Sequence, residues 1–351
     1  MVNWLLLPFS GIYGLIMDVR NWLFDNKLFQ STTPLIRSVS VGNLTVGGTG
    51  KTPMVEFLIK WYVFNTASLP FELATLSRGY GRQTTGFRIA TEADTAATLG
   101  DEPLQLYRKF TNSVRVCVGE RRVDAIQALL AIHPDTRLVL LDDAFQHRSF
   151  QPHVSILLMD YNRPFYEDFP FPAGRLRERR HGASRADVVV VTKCPPELAD
   201  AEQQRITNRI RPYTQSDTPI YFATLQYGEP VSFATHQQTS GELGEVVLVS
   251  GLANATPLET YARQTYRLRK HIQFADHYNY TRSDLDPILA TLSAGTSLLT
   301  TEKDWVKVDA LLTPEERTRY PLFYLPVSMQ LLPGSEKGFT DYLTTEILKN
   351  R

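Results

Sequence analysis

The stretch Gly42–Thr52 (GNLTVGGTGKT) restricts the chain more than any other. It follows a short apolar run, Ile36–Val41, and leads into Met54, Phe57, Leu58, Trp61 and Tyr62, whose spacing places them on one face of a helix. Strand, glycine loop and helix in that order are what a phosphate-binding loop requires. Gly47, Gly48 and Gly50 let backbone amides wrap phosphates with no Cβ in the way, and the helix N-terminus adds its positive end. Thr45, Val46, Gly47, Gly48, Thr49, Gly50, Lys51 and Thr52 are thus expected to hold a nucleotide. Lys51 would reach its β- and γ-phosphates, and the Thr52 hydroxyl would ligate Mg2+. Thr45 departs from the general pattern, which has Gly there.

A metal at such a loop needs an acid at the end of a neighbouring strand. Apolar residues of the run Arg137–Leu141 precede the paired carboxylates Asp142 and Asp143, at the edge where open parallel sheets bind ligands. One would hold Mg2+ or its water while the other orients a neighbour. Asp101 follows Gly100 and precedes an apolar helical stretch, so locally it reads as an N-cap. His147 and His277 each lie near an aspartate, Asp143 and Asp276, which suits a base with an orienting partner. Arg175, Arg177, Arg179, Arg180, His181 and Arg185 form a basic cluster broken only by Glu178. It reads equally as a solvated face or as a grip on an anion.

Strand candidates alternate with amphipathic helices along the chain, which predicts an α/β fold: a P-loop NTPase-like parallel sheet followed by a smaller α/β domain. The strands are expected at Ile36–Val41, Leu73–Leu76, Val114–Val118, Arg137–Leu141, Val154–Met159 and Asp187–Thr192, then at Ile220–Leu225, Val246–Ser250, Thr296–Thr300 and Leu322–Pro326. Thr256 and Thr313, each followed by Pro and three residues later by Glu, read as capping boxes. The polar stretch 226–245 suggests the boundary, giving 1–30 as an N-terminal segment, 31–220 as the P-loop domain and 221–351 as the second domain, whose last helix could pack back on the first. Residues 79–100 form a long polar excursion of the kind that covers a site or decorates a sheet.

Charge and cysteine content narrow the partners. Lys and Arg number 37 against 37 Asp and Glu, so no global positive field would gather nucleic acid. Cys117 and Cys194 stand far apart with no metal-ligand spacing, which points to a reducing compartment. Residues 2–17 carry no Asp, Glu, Lys, Arg or His, yet the run is shorter than the roughly 20 apolar residues of a spanning helix. With Trp4, Tyr13 and Trp22 and the flanking Arg20 and Lys27, it suits either a helix lying in a membrane surface or one packed on its own domain.

Taken in order, these blocks resemble the tetraacyldisaccharide 4'-kinases of lipid A biosynthesis. The resemblance runs through Leu7–Ser10, Arg20–Leu23, Ser40–Pro53, Leu76–Arg82, Gly100–Pro103, Gly119–Arg122, Asp142–His147, Pro172–Glu178, Phe274–His277 and Thr300–Asp304. Thr45 is an ordinary occupant of its position in that family. The resemblance implies ATP and Mg2+ as cofactors and transfer of the γ-phosphate to the 4'-hydroxyl of the lipid A disaccharide 1-phosphate. It further implies two α/β domains with a cleft between them, at the cytoplasmic face of a bacterial inner membrane, with no nucleic acid and no obligate protein partner. Carried over by motif, Asp101 is the base, assisted by His277; Lys51 serves the phosphates; Thr52, Asp142, Asp143 and Glu178 form the metal group. Arg78, Arg121, His147, Arg175, Arg177 and Asp276 are the substrate candidates. Another P-loop NTPase, a GTPase-like metallochaperone or a small-molecule kinase or ligase, stands as the alternative. Thr192-Lys-Cys-Pro lacks the Asp that guanine readers use.

Overall fold

Strands buried on both faces of a parallel sheet select continuous apolar runs, and Val188–Val191 is one, with all four valines fully buried. The computed structural model describes residues 4–66, 71–239, 241–292 and 295–349. Before residue 228 come β1 (Arg37–Asn43), β2 (Leu73–Ser77), β3 (Arg88–Ile89), β4 (Val114–Val118), β5 (Leu138–Asp142), β6 (Val154–Asp160), β7 (Val188–Thr192) and β8 (Ile220–Tyr227). After it come β9 (Val231–Ser232), β10 (Glu245–Ser250), β11 (Arg267–Gln273), β12 (Thr296–Thr301), β13 (Leu322–Leu325) and β14 (Val327–Leu331).

Nine strands form one sheet in the order β14-β8-β7-β6-β1-β5-β2-β4-β3, parallel except at its two ends. β1 lies between β5 and β6, so the loop leaving β1 opens at the centre of the carboxyl edge. The helix Lys51–Asn65 buries Met54, Val55, Leu58, Ile59, Trp61 and Tyr62. The second sheet runs β11-β10-β12-β13-β9, and only β9 is antiparallel.

The division at residue 221 differs from what the structure shows. β8 belongs to the first sheet, and β14 crosses back to pair with it from Val327↔Tyr227 to Leu331↔Ala223. Without β14, the outer edge of β8 would leave its backbone donors and acceptors unpaired. Met329 and Leu331 of β14, with Phe339 of the helix Glu336–Leu343, join the core under the P-loop helix. The second sheet is therefore an insertion between β8 and β14.

Two caps also differ. Thr256 is the first helical residue and caps nothing; Asn254 Oδ1 accepts from its backbone N instead, at 3.2 Å. Asp101 likewise opens its helix, with Gly100 at the cap position at φ 96°. The box at Thr313 and Glu316 is formed as expected.

The N-terminal helix Leu7–Asp25 is inside-out. Its buried residues are Ser10, Gly14 and Asn21, whereas Phe9, Ile12, Ile16, Val19 and Trp22 are exposed. Polar contacts seat it: Ser10 Oγ donates to Pro170 O at 2.5 Å, Tyr13 OH to Arg177 O at 2.8 Å, and Asp18 pairs with Arg179 at 3.1 Å. A Cβ at Gly14 would stand 2.7 Å from Arg179 Nε, so a larger residue there would displace the arginine that pairs with Asp18. No described helix is long and apolar enough to cross a membrane. The first three residues of the chain, including the start of the apolar run, lie outside the described residues.

Candidate active site

The loop after β1 is tied down through its carbonyls. Thr192 Oγ1 donates to Thr49 O at 2.8 Å, Lys193 Nζ donates to Gly48 O, and Asn43 Nδ2 donates to Thr49 Oγ1 at 2.7 Å. On its other side, Val46 N donates to Arg175 O at 2.8 Å and Arg177 N to Leu44 O at 2.7 Å. Gly50 takes φ 84°, a left-handed conformation that glycine adopts without penalty, and starts the helix at Lys51. Lys51 and Thr52 thereby stand at a helix N-terminus, where backbone amides and the helix dipole favour an anion.

A cavity of about 580 Å3 opens beside Asp142 and Asp143. Its lining includes Arg78, Asp101, Asp142, Asp143, His147 and His277. Lys51 Nζ lies 3.8 Å from Asp143 Oδ1, and Arg177 Nη1 donates to the same oxygen at 2.8 Å. Asp142, at the end of β5, is 3% exposed, and its Oδ1 has no hydrogen-bond partner. Burial, with Glu102 beside it, pushes its carboxyl up to about 7. A buried, unpartnered carboxylate oxygen beside a phosphate loop suits a hard divalent cation, and with the Thr52 hydroxyl it offers the oxygen ligands that Mg2+ takes.

On the far wall, Asp101 Oδ2 lies 3.2 Å from His277 Nδ1 and accepts from Lys307 Nζ at 3.1 Å. Burial alone would raise the Asp101 carboxyl, but the His277 hydrogen bond and the Lys307 ammonium hold it below the ordinary carboxylate value. His277 has φ 56°, and Asp276 Oδ1 accepts from its backbone N at 3.1 Å. Asp276 also pairs with Lys303 at 2.8 Å. His147 is kept neutral: burial first, then the cations Arg122, Arg20 and Arg78, lower it to about 4.

Three expected assignments differ. Glu178 is 1% exposed and accepts from Asn21 Nδ2 (2.9 Å), Gln146 Nε2 (3.0 Å) and Arg185 Nη2 (2.7 Å). Those donors engage both its oxygens, so in this structure it seats the N-terminal helix. Arg121 is exposed on the surface, paired with Asp124 at 3.0 Å, and its neighbour Arg122 lines the cavity instead. Arg122 opens a helix whose phase turns it inward, and burial lowers its guanidinium to about 10. Arg175 contributes backbone to the P-loop strap while its side chain is exposed. Arg122, Lys303 and Lys307 were not singled out by sequence reasoning. The Gly119–Arg122 and Thr300–Asp304 blocks contained the signal for the first two, whereas nothing local marks Lys307. A second hollow of about 460 Å3, lined by Leu35, Arg37 and Leu138 among others, opens at the opposite edge of the sheet with no acid or histidine in its wall.

The arrangement joins a nucleotide loop, an acid suited to a metal and an ionised carboxylate across one cleft. Residues 2–348 match the family model described as tetraacyldisaccharide-1-P 4'-kinase. A Cytophaga hutchinsonii protein named tetraacyldisaccharide 4'-kinase is 42% identical over 340 residues, 95% of this chain and 93% of that protein. One of the same name from Flavobacterium psychrophilum is 36% identical over 336 residues, 95% of this chain and 94% of that one. The crystal structure of LpxK from Aquifex aeolicus in complex with ATP is similar at a TM-score of 0.75 and 25% identity, covering 97% of this chain and 98% of that one. Both sheets and the inserted region fall inside these matches, and the chain belongs to the tetraacyldisaccharide-1-P 4'-kinase family.

Proposed function

We propose that the protein is an ATP-dependent lipid kinase that transfers the γ-phosphate of ATP to the 4'-hydroxyl of a tetraacyldisaccharide 1-phosphate. The observation that carries this reading is one cleft lined by the Asp101–His277 pair and by Asp143, whose Oδ1 lies 3.8 Å from Lys51 Nζ. Phosphoryl transfer asks chiefly for in-line positioning and charge neutralisation. Lys51 and the loop amides hold the phosphates, and Arg177 adds a second cation beside Asp143. Asp142 and Thr52 would hold Mg2+, which when bound neutralises phosphate charge. As the sugar oxygen bonds phosphorus and the bridging bond to ADP breaks, the hydroxyl proton passes to Asp101. The low pKa of Asp101 keeps it ionised, so proton transfer is late.

The outward apolar face of the N-terminal helix supports docking on a membrane surface at the cytoplasmic side of the inner membrane, where the substrate's acyl chains lie. Trp4, Leu5, Phe9, Ile12 and Ile16 are each more than half exposed, and transfer of each out of water contributes about 1.5–3 kcal/mol. Phe171, packed against Tyr13 at 6.1 Å, extends this face toward the P-loop strap. Turnover of ATP is expected only with the lipid disaccharide monophosphate present, yielding the bisphosphate. Equal turnover on a soluble sugar, with none on the lipid, would overturn the assignment.

A further inference from the structure

We propose that Lys303 and Lys307, one turn apart on the helix Glu302–Val308, act as positioning residues that fix the proton arrangement of the Asp101–His277 pair. This rests on the reading of Asp101 as the base. Lys303 Nζ lies 3.2 Å from His277 Nε2 and 2.8 Å from Asp276 Oδ1. An ammonium has three donors and no acceptor, so the ring nitrogen facing it must offer its lone pair. The imidazole proton then sits on Nδ1, the nitrogen that faces Asp101.

Lys307 completes the arrangement from the other side. Its side chain is 5% exposed, donates to Asp101 Oδ2 at 3.1 Å, stands 3.8 Å from Asp304 Oδ1 and lies 5.6 Å from the Tyr280 ring centre. Asp304 is itself fully buried and fixed by Gly251 N at 2.9 Å and Thr301 Oγ1 at 2.7 Å. Both Lys307 and His277 therefore hold the same carboxylate oxygen of Asp101. Among the described residues no protein group donates to Oδ1, which is left to accept the substrate proton. Asp101 faces His277, Lys307 and Tyr280; His277 faces Asp101, Asp276, Lys303 and Tyr80. The base is thus assembled by two parts of the chain: Asp101 comes from the P-loop domain, and His277, Lys303 and Lys307 come from the inserted one.

The test combines a spectroscopic and a kinetic measurement on the full chain. With 15N-labelled histidine, the His277 resonance, assigned by its loss in His277→Gln, is expected to show Nδ1 protonated and Nε2 unprotonated at neutral pH. Lys303→Gln is expected to mix the two tautomers. A wild-type Nε2–H tautomer or an imidazolium overturns the proposal. In the kinetic arm, Lys307→Met removes a cation from a carboxylate, so Asp101 stays protonated to higher pH. The acid limb of kcat is expected to move up in pH, with kcat lowered about tenfold at neutral pH and KM for ATP unchanged. Lys307→Arg is expected to keep the wild-type limb. A Lys307→Met limb coincident with wild type overturns the proposal whatever the kcat; if that variant does not fold, the tautomer measurement decides alone. Because that measurement needs no turnover, a wild-type protein inactive on the lipid refutes the functional reading separately.

Discussion

Asn21 on the N-terminal helix donates to Glu178 Oε2 across 2.9 Å, and both side chains are buried. The same carboxylate holds Arg185 and Gln146, and its backbone neighbour Arg177 straps the P-loop through Leu44 O. A helix whose outer face is apolar is thereby fastened by polar contacts to the segment beside the phosphate loop. Removing Glu178 would take the acceptor from the buried Asn21 amide and the carboxylate from the half-buried Arg185 guanidinium.

Glu178→Ala is accordingly expected to cost about 3–5 kcal/mol, read as a lowered thermal midpoint at pH 7. Burial would raise the Glu178 carboxyl, but Arg185, Gln146 and Asn21 hold it below its ordinary value of 4.5. A depressed carboxylate contributes stability above the unfolded pKa and loses it as pH falls through the folded one. The gap between wild type and Glu178→Gln should therefore be full at pH 7 and close progressively below about pH 4.5. A gap that is constant from pH 7 to pH 3 would contradict the assignment.

The outward face of the same helix makes the opposite prediction. Phe9, Ile12 and Ile16 are exposed, so Glu at all three should leave the thermal midpoint unchanged while abolishing partition onto anionic liposomes. Sedimentation of protein with vesicles measures this directly. Retained partition would show that the helix is not the contact.

Much of this site was legible in the sequence because its parts are local. A glycine loop between an apolar strand and an amphipathic helix, and two acids ending a leucine run, each announce themselves within about a dozen residues. What escaped is what folding brings from afar. Lys307 meets Asp101 across 206 positions, and no periodicity links them. Arg121 and Arg122 are adjacent and chemically alike, so only the helical phase beginning at Arg122 decides which one turns inward. β11 was missed because its sequence, RLRKHIQ, is charged; it is an edge strand that needs little apolar surface. The return of β14 to β8 was hidden because an inserted domain leaves no mark on the strand that resumes the first sheet.

Asp101→Ala should lower lipid phosphorylation by about 10²–10⁴-fold, the span of general base catalysis, with KM for ATP unchanged. The side chain caps no helix, and the loss cannot be assigned to capping, since Gly100 holds that position. Steady-state rates at saturating ATP test this, with nucleotide binding measured separately. Turnover within about twofold of wild type would remove Asp101 from the role of base.

Asp142→Asn is expected to separate stability from activity. Burial and the neighbouring Glu102 raise the Asp142 carboxyl from 3.8 to about 7. For an acid raised on folding, the unfolded chain ionises first, so stability falls as pH climbs between those two values and stays lower above them. Asparagine cannot ionise, so this penalty disappears. In chelator and without nucleotide, the variant should melt above wild type at pH 8 and alongside it near pH 4, while its ATP turnover is lost because the buried oxygen suited to Mg2+ has become an amide. A variant that melts below wild type at pH 8 would show that the Asp142 carboxylate stabilises the empty site, contrary to its unpartnered Oδ1.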